Sequence, residues 1–324
     1  MTAGGGELRV LVPDLDGRAL PAVPGPDEHL FALRGETMGT VWRLTGYRPP
    51  RLDETRLQDS LLAVFAQMIA TFSQWDAASE LSRFNALAPG RWIDVSADFL
   101  TVLLAAGTLA FDSDGAFNPL LGSETGAFAF DPLPGPGAPE GTRGDGRELQ
   151  IDAAAARVRR PLQGVLDMSA IAKGYALDRA AGMLGELGLS SFLLEIGGEF
   201  IGRGIRHDLT PWWIDLTPDG GQAVARLALV DQALAGSARA RTSCPDGVHI
   251  LDACCNKDGT DAWPACWVIA DTCMMADGWA TALCATSTAK AVHLTGDFGL
   301  CALALRQNGT VLPSRPLEAH FPDA

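Results

Sequence analysis

Residues 131–147 read DPLPGPGAPEGTRGDGR, a run of proline and glycine that neither a helix nor a central strand tolerates. The regular structure must therefore come from two stretches, one on each side of this loop. Before it, residues 38–45 (MGTVWRLT) read as a strand. Over 55–72, Leu57, Leu61, Leu62, Val64, Phe65, Met68 and Ile69 recur at the spacing of one buried helical face. A second helix is expected over 97–111. After the loop come a short strand pair near 149–160, a helix over 169–187, and strands at 191–196 and 200–205. Further strands are expected at 212–216, 223–229 and 267–270, then a helix over 272–285 and a last strand near 300–305. Strands arrive in runs, without regular βαβ alternation, which predicts an α+β fold of two lobes rather than a doubly wound sheet. Residues 1–30, rich in Gly, Pro and Asp, read as an N-terminal extension, leaving 31–324 as one domain.

Charge removes several functions. Lys plus Arg is 25 and Asp plus Glu 39, a formal charge of −14, so nucleic-acid backbones and acidic lipid surfaces are disfavoured partners. With 47% hydrophobic and 20% charged residues the chain has ample core material. No apolar run approaches the ~18 residues of a membrane helix. The N-terminus lacks a basic region followed by an apolar one, so it does not read as a signal peptide. The expected compartment is the cytoplasm, or the periplasm if a leader has been removed. The seven cysteines (Cys244, Cys254, Cys255, Cys266, Cys273, Cys284, Cys301) crowd the last quarter and contain no C-x-x-C, so reduced thiols are expected, a soft-metal site at Cys254-Cys255 beside His249 being the other reading.

Phosphate-loop, dinucleotide, G-x-S-x-G and H-E-x-x-H motifs are all missing. Four local constellations remain. In Asp167-Met-Ser-Ala-Ile-Ala-Lys173-Gly-Tyr-Ala-Leu-Asp178-Arg179, Asp167 and Ser169 sit where a helix should begin. The N–H groups there attract anions, and Lys173, one of three lysines, is one turn further on. An Asp/Ser cap beside a surface lysine accounts for the same pattern. In Ala276-Asp277-Gly-Trp-Ala-Thr281, i and i+4 share a helix face, so a carboxylate and a hydroxyl point the same way. Two oxygen donors suit Mg²⁺ or Ca²⁺; a solvent-facing Asp277 is the other reading. Glu195-Ile-Gly-Gly-Glu199 offers either close ligand approach to backbone or a plain tight turn. His249, in VHILD, is either a hydrogen-bonded structural residue or a catalyst.

Taken together, these segments resemble the ApbE family, the FAD:protein FMN transferases, over about residues 33–313. The likeness rests on Met38-Gly39-Thr40, on Ser79 to Asn85 (SELSRFN) and on Gly115-Ala116-Phe117-Asn118-Pro119. It rests further on Asp167 to Tyr175, Glu195 to Glu199, His249-Ile-Leu-Asp252 and Ala276 to Leu283. The pairing of the Asp167 segment with the Asp277 helix is its most specific part. The departures are Asn118 for Asp, Trp75 for Tyr, Leu234-Ala235-Gly236 for Thr-Ser-Gly, Cys255 for Thr, and the Pro/Gly loop in place of a helix.

The resemblance implies a two-lobed α+β domain, with mixed or antiparallel sheets flanked by helices and a central cleft. It implies Mg²⁺ held by Asp277, Thr281 and a backbone oxygen of Ala170. FAD contacts would fall on Met38, Trp75, Ala116, Phe117, Asn118, Asp167 and Lys173. The reaction implied moves FMN from FAD to a Thr or Ser hydroxyl of an acceptor flavoprotein and releases AMP. Lys173 would stabilise charge, and His249 would serve as general base because an imidazole titrates near neutral pH. A Mg²⁺-dependent FAD pyrophosphatase, giving FMN and AMP, and a non-catalytic FAD-binding protein are the other two readings.

Overall fold

The computed structural model describes residues 8–14, 19–122, 144–218, 221–239 and 261–322. Strand-rich segments gather into one eight-stranded sheet, antiparallel at every pairing. From edge to edge it runs β14 (Val311–Pro313), β13 (Cys301–Leu305), β12 (Ala265–Ala270), β11 (Ala233–Ala238), β8 (Glu199–Arg203), β7 (Phe192–Ile196), β3 (Thr40–Arg48) and β2 (His29–Thr37).

Alternation along these strands explains the layers. On β12, Cys266 and Val268 enter one core while Ala265, Trp267 and Ile269 enter another. On β13, Ala302 and Ala304 face the first and Leu303 the second. Successive strand side chains point to opposite faces, so ACWVIA is apolar throughout because both its faces are covered. The first core lies beneath helices α1 (Glu54–Phe72), α3 (Ala97–Asp112), α4 (Ala172–Glu186) and α5 (Cys273–Cys284). The second lies beneath a small sheet of β1 (Arg9–Leu11), β10 (Ala225–Leu229) and β9 (Trp212–Leu216). A third sheet joins β4 (Trp92–Asp94), β6 (Arg157–Arg159) and β5 (Ile151–Asp152). Helices α2 (Glu80–Asn85), α6 (Thr288–Asp297) and α7 (Arg315–His320) complete the described elements. The α+β class with mixed or antiparallel sheets flanked by helices is thus as expected, β1 running parallel to β10 and β9 antiparallel to it, and among the described residues no helix is long and apolar enough to cross a membrane.

Helix α1 shows how the pattern becomes packing. Asp53 caps its start by accepting from Arg56 N, and Leu57, Leu61, Phe65, Met68 and Phe72 form the buried stripe. Leu62 from the same apolar run turns to solvent.

Four boundaries differ from expectation. The strand expected over 38–45 begins at Thr40, because Met38 (φ 48°) and Gly39 (φ 72°) form the two-residue turn of the β2–β3 hairpin. Positive φ at both positions matches the strand twist, and the methionine pays the steric cost. Part of the expected 1–30 extension is built in: Arg9–Leu11 pairs with β10, and Leu11 is fully buried. The helix expected from residue 169 starts at Ala172. Of the Pro/Gly loop, 131–143 lie outside the described residues, while Gly146–Glu148 form one 3-10 turn.

Candidate functional site

A cavity of about 780 Å³ opens at one end of the large sheet, within the ~300–1,000 Å³ of small-molecule sites. Two hairpin turns make one wall. Met38-Gly39 joins β2 to β3, and Gly197-Gly198 joins β7 to β8, with φ of 60° and 100°. Gly197 N donates to Val41 O at 3.0 Å, and a Cβ on Gly197 would press the Thr40 side chain at 2.9 Å. The two glycines of Glu195-Ile-Gly-Gly-Glu199 are therefore a tight turn that also brings backbone to a cavity wall.

The floor comes from the segment entering α4. Asp167 Oδ1 accepts from Ser169 N at 2.8 Å and from Gln74 Nε2 at 2.5 Å. Asp167 N donates to Pro119 O, tying the floor to the turn that carries Ala116, Phe117 and Asn118. Neither Asp167 nor Ser169 caps the helix, contrary to expectation; its N-cap position is Ile171, with no side-chain cap bond. The capping is done from a distance. Asp277 Oδ2, on α5, accepts from Gly174 N at 3.2 Å, and Asp178, on α4, accepts from Cys273 N and Met274 N at 2.8 and 2.9 Å. Each helix thus places a carboxylate at the other's N-terminus, where free N–H groups and the dipole favour negative charge. Burial raises the Asp178 carboxyl to about 6, with Asp277 adding repulsion against the two N–H bonds and Arg203 that lower it.

Lys173 projects from the first turn of α4 into the cavity. Its Nζ lies 3.0 Å from Glu199 Oε1, whose side chain is only 2% exposed. A carboxylate that deep requires a nearby cation, and the pair holds the ammonium at the cavity wall. The same cavity carries a set of hard oxygens. Asp277 is buried, and Thr281 Oγ1 lies 3.1 Å from Ser237 Oγ. These three residues and Ala170 all line the cavity. Among the described residues no group of three or more His, Cys, Asp or Glu side chains could hold a metal. A cation here must draw on one carboxylate, hydroxyls, backbone carbonyl and ligand oxygens. That donor chemistry fits Mg²⁺, which commonly takes one or two carboxylates and completes its shell with phosphates and water.

Ten residues singled out from the sequence meet in this one cavity: Met38, Trp75, Ala116, Phe117, Asn118, Asp167, Ala170, Lys173, Asp277 and Thr281. Trp75 is 67% exposed and offers an aromatic face on the lining. Asn118 is turned inward: its Nδ2 donates to Gly144 O at 2.9 Å and its Oδ1 accepts from Leu120 N and Gly146 N. Its polar atoms therefore fold the chain around the cavity. His249, Asp252 and Cys255 lie outside the described residues. Sequence reasoning left out Gln74 and Ser237 and did not assign Glu199 to the site. For Glu199 the signal was present, since a residue directly after a Gly-Gly turn shares the turn's end of the sheet.

The ApbE family model matches residues 38–303, which span both turns, the α4 segment and the α5 helix. The chain belongs to the ApbE family. Two relatives named FAD:protein FMN transferase show the range of likeness. That of Klebsiella pneumoniae (strain 342) is 27% identical over 330 residues, covering 93% of this chain and 90% of the relative. That of Vibrio cholerae serotype O1 is 29% identical over 270 residues, covering 78% and 80%. Among solved structures, the flavin transferase ApbE from Vibrio cholerae superposes with a TM-score of 0.80 at 25% identity, over 90% of this chain and 99% of that one. The apo flavinyl transferase ApbE from Pseudomonas stutzeri gives 0.79 at 25% identity, over 91% and 98%. Within the ApbE fold of this chain the four described cysteines are unbridged; Cys301 is half-buried, while Cys266, Cys273 and Cys284 are buried, and burial pushes those three thiols up.

Proposed function

We propose that this chain is an FAD:protein FMN transferase that moves FMN from FAD to a Thr or Ser hydroxyl of an acceptor flavoprotein, releasing AMP. The observation that carries the reading is the convergence, in one cavity of about 780 Å³, of a lysine at a helix N-terminus, a hard-oxygen cluster and an exposed indole. These are the three features a dinucleotide diphosphate with an aromatic ring system needs: positive charge, a divalent-cation seat and a stacking face.

The reaction forms a bond from the acceptor oxygen to the FMN-side phosphorus. It breaks the bond from that phosphorus to the bridging oxygen, and the electron pair leaves with AMP. Negative charge grows on the bridging and equatorial oxygens, so fixed positive charge lowers the barrier. Lys173 supplies such charge; its pairing with Glu199 keeps the ammonium in one place rather than sweeping the cavity. The first turn of α4 adds its dipole on the same side. Asp277, Thr281 and the Ala170 carbonyl would hold Mg²⁺, which when bound neutralises diphosphate oxygens. The hydroxyl proton must pass to a base, and His249 is assigned that role from the sequence.

The test is to incubate the full chain with FAD, Mg²⁺ and a co-expressed candidate acceptor, then to record intact masses and the small-molecule products. An FMN adduct on the acceptor with AMP in solution supports transfer. Free FMN would convert the assignment to a pyrophosphatase, and intact FAD bound stoichiometrically would reduce it to a binding protein.

A further inference from the structure

Along β11, Ala233 and Ala235 belong to the core beneath α5 while Leu234 belongs to the opposite core. By that alternation Ser237 faces α5, and its Oγ meets Thr281 Oγ1 at 3.1 Å. The strand fixes this position. Ser237 is registered against Cys266 of β12, its carbonyl accepts from the Cys284 thiol at 3.4 Å, and the Cys284 carbonyl accepts from Arg239 Nη1 at 2.7 Å.

Two hydroxyls at hydrogen-bond distance share one proton between them, so one donates and the other accepts. A cation draws on oxygen lone pairs and repels hydroxyl protons. Thr281 can present a lone pair to a cation beside Asp277 only by pointing its proton elsewhere. Ser237 Oγ stands where that proton can go. We propose that Ser237 is a positioning residue for the cation seat: it accepts the Thr281 proton and thereby turns the Thr281 lone pairs toward the cavity. This rests on the reading that a hard divalent cation binds at Asp277 and Thr281. Ser237 need not touch the ion, the FAD or the acceptor to act.

The experiment titrates Mn²⁺, alone, into the full-length protein and counts the free aquo ion by electron paramagnetic resonance. It compares wild type with Ser237→Ala, Ser237→Thr and Asp277→Ala. Loss of one neutral hydrogen bond in the bound state predicts about a fivefold weaker Mn²⁺ affinity for Ser237→Ala. Ser237→Thr, which restores the hydroxyl on a strand that favours β-branching, should return affinity to within about twofold of wild type. Asp277→Ala should bind no Mn²⁺ at this site. Melting temperatures in chelator serve as the structural control: the stabilisation Mn²⁺ gives must shrink in Ser237→Ala, beyond any change in the metal-free protein. Wild-type affinity in Ser237→Ala, with Asp277→Ala inactive in binding, overturns the positioning role and leaves the cation seat standing. Absence of Mn²⁺ binding in wild type overturns both.

Discussion

Replacing Gly174 by Ala sets two known effects against each other, and the structure decides the sign. Gly174 lies in the first turn of the fifteen-residue α4. Alanine is the better helix former by ~1 kcal/mol, so propensity alone predicts a gain. Yet a Cβ at Gly174 would run into the Cys273 carbonyl carbon at 2.7 Å and Met274 Cα at 2.8 Å, both backbone atoms that cannot swing away. Forcing α4 and α5 apart costs ~1–3 kcal/mol as overpacking. It also lengthens the bond from Gly174 N to the Asp277 carboxylate and the two bonds that Asp178 accepts. Hydrogen bonds to a charged acceptor are each worth ~1.5–3 kcal/mol. Even if only one is lost, the balance is a destabilisation of about 2–4 kcal/mol. Gly182, exposed on the same helix with nothing within 4 Å of a built Cβ, is the internal control. Gly182→Ala should gain ~0.5–1 kcal/mol. Urea unfolding of both variants and wild type measures the difference. If Gly174→Ala matched or exceeded wild type, the close backbone contact and the clasp built on it would both be wrong.

Three further outcomes follow from single residues. Asn118→Asp removes the donor that meets Gly144 O and sets a carboxylate against that carbonyl. A loss of ~1–3 kcal/mol is expected by urea unfolding, and an unchanged midpoint would show that the amide is not needed there. His249→Ala should keep FAD affinity within a few-fold by calorimetry while adduct formation falls by about two to four orders of magnitude; near-normal turnover ends the proposed general-base role. Asp178, raised from 3.8 to about 6 in the folded chain, binds its proton more tightly folded than unfolded. Its stabilising share is therefore complete below about pH 4 and lost as pH rises through about 6, up to ~3 kcal/mol. In chelator, Asp178→Asn should flatten the difference in unfolding free energy between pH 5 and pH 7, and an unchanged difference would falsify the assignment.

What the sequence disclosed and what it withheld separate along a physical line. Elements driven by their own residues were legible: the α1 stripe from Leu57 to Phe72 is periodic in itself, and β9 over Trp212–Leu216 alternates in itself. Elements made by partners were not. The segment Ala233–Ala238, ALAGSA, has small residues of weak strand preference and becomes β11 because β8 and β12 pair on either side of it. Those small residues let α5 lie close above it, and that closeness brings Ser237 to Thr281. Met38-Gly39 lacks the Asn-Gly or Asp-Gly signature of a two-residue hairpin, so nothing local marks the turn within the strand-like run. The start of α4 lies past its local cap signals for a related reason. Asp167 and Ser169 carry the local marks of a cap, but Asp167 is occupied by Gln74 and by the Ser169 backbone. The carboxylate that reaches the helix lies 103 residues away.

The same line runs through the candidate site. Asp277 and Thr281 share a face by helical spacing alone, so their pairing was readable from the sequence. That Asp277 also serves as the cap of α4 could not be read, yet it changes what the residue does. One carboxylate both bonds the first turn of the neighbouring helix and lines the cavity together with Thr281, Ser237 and Lys173. A perturbation of the helix contact therefore reaches the proposed cation seat with no side chain of that seat being altered. Gly174→Ala should accordingly weaken Mn²⁺ affinity as well as stability, whereas Gly182→Ala should raise stability and leave that affinity alone. The reciprocal capping of α4 and α5 can stand as the support of the proposed seat only if both quantities move together in the first variant and part in the second.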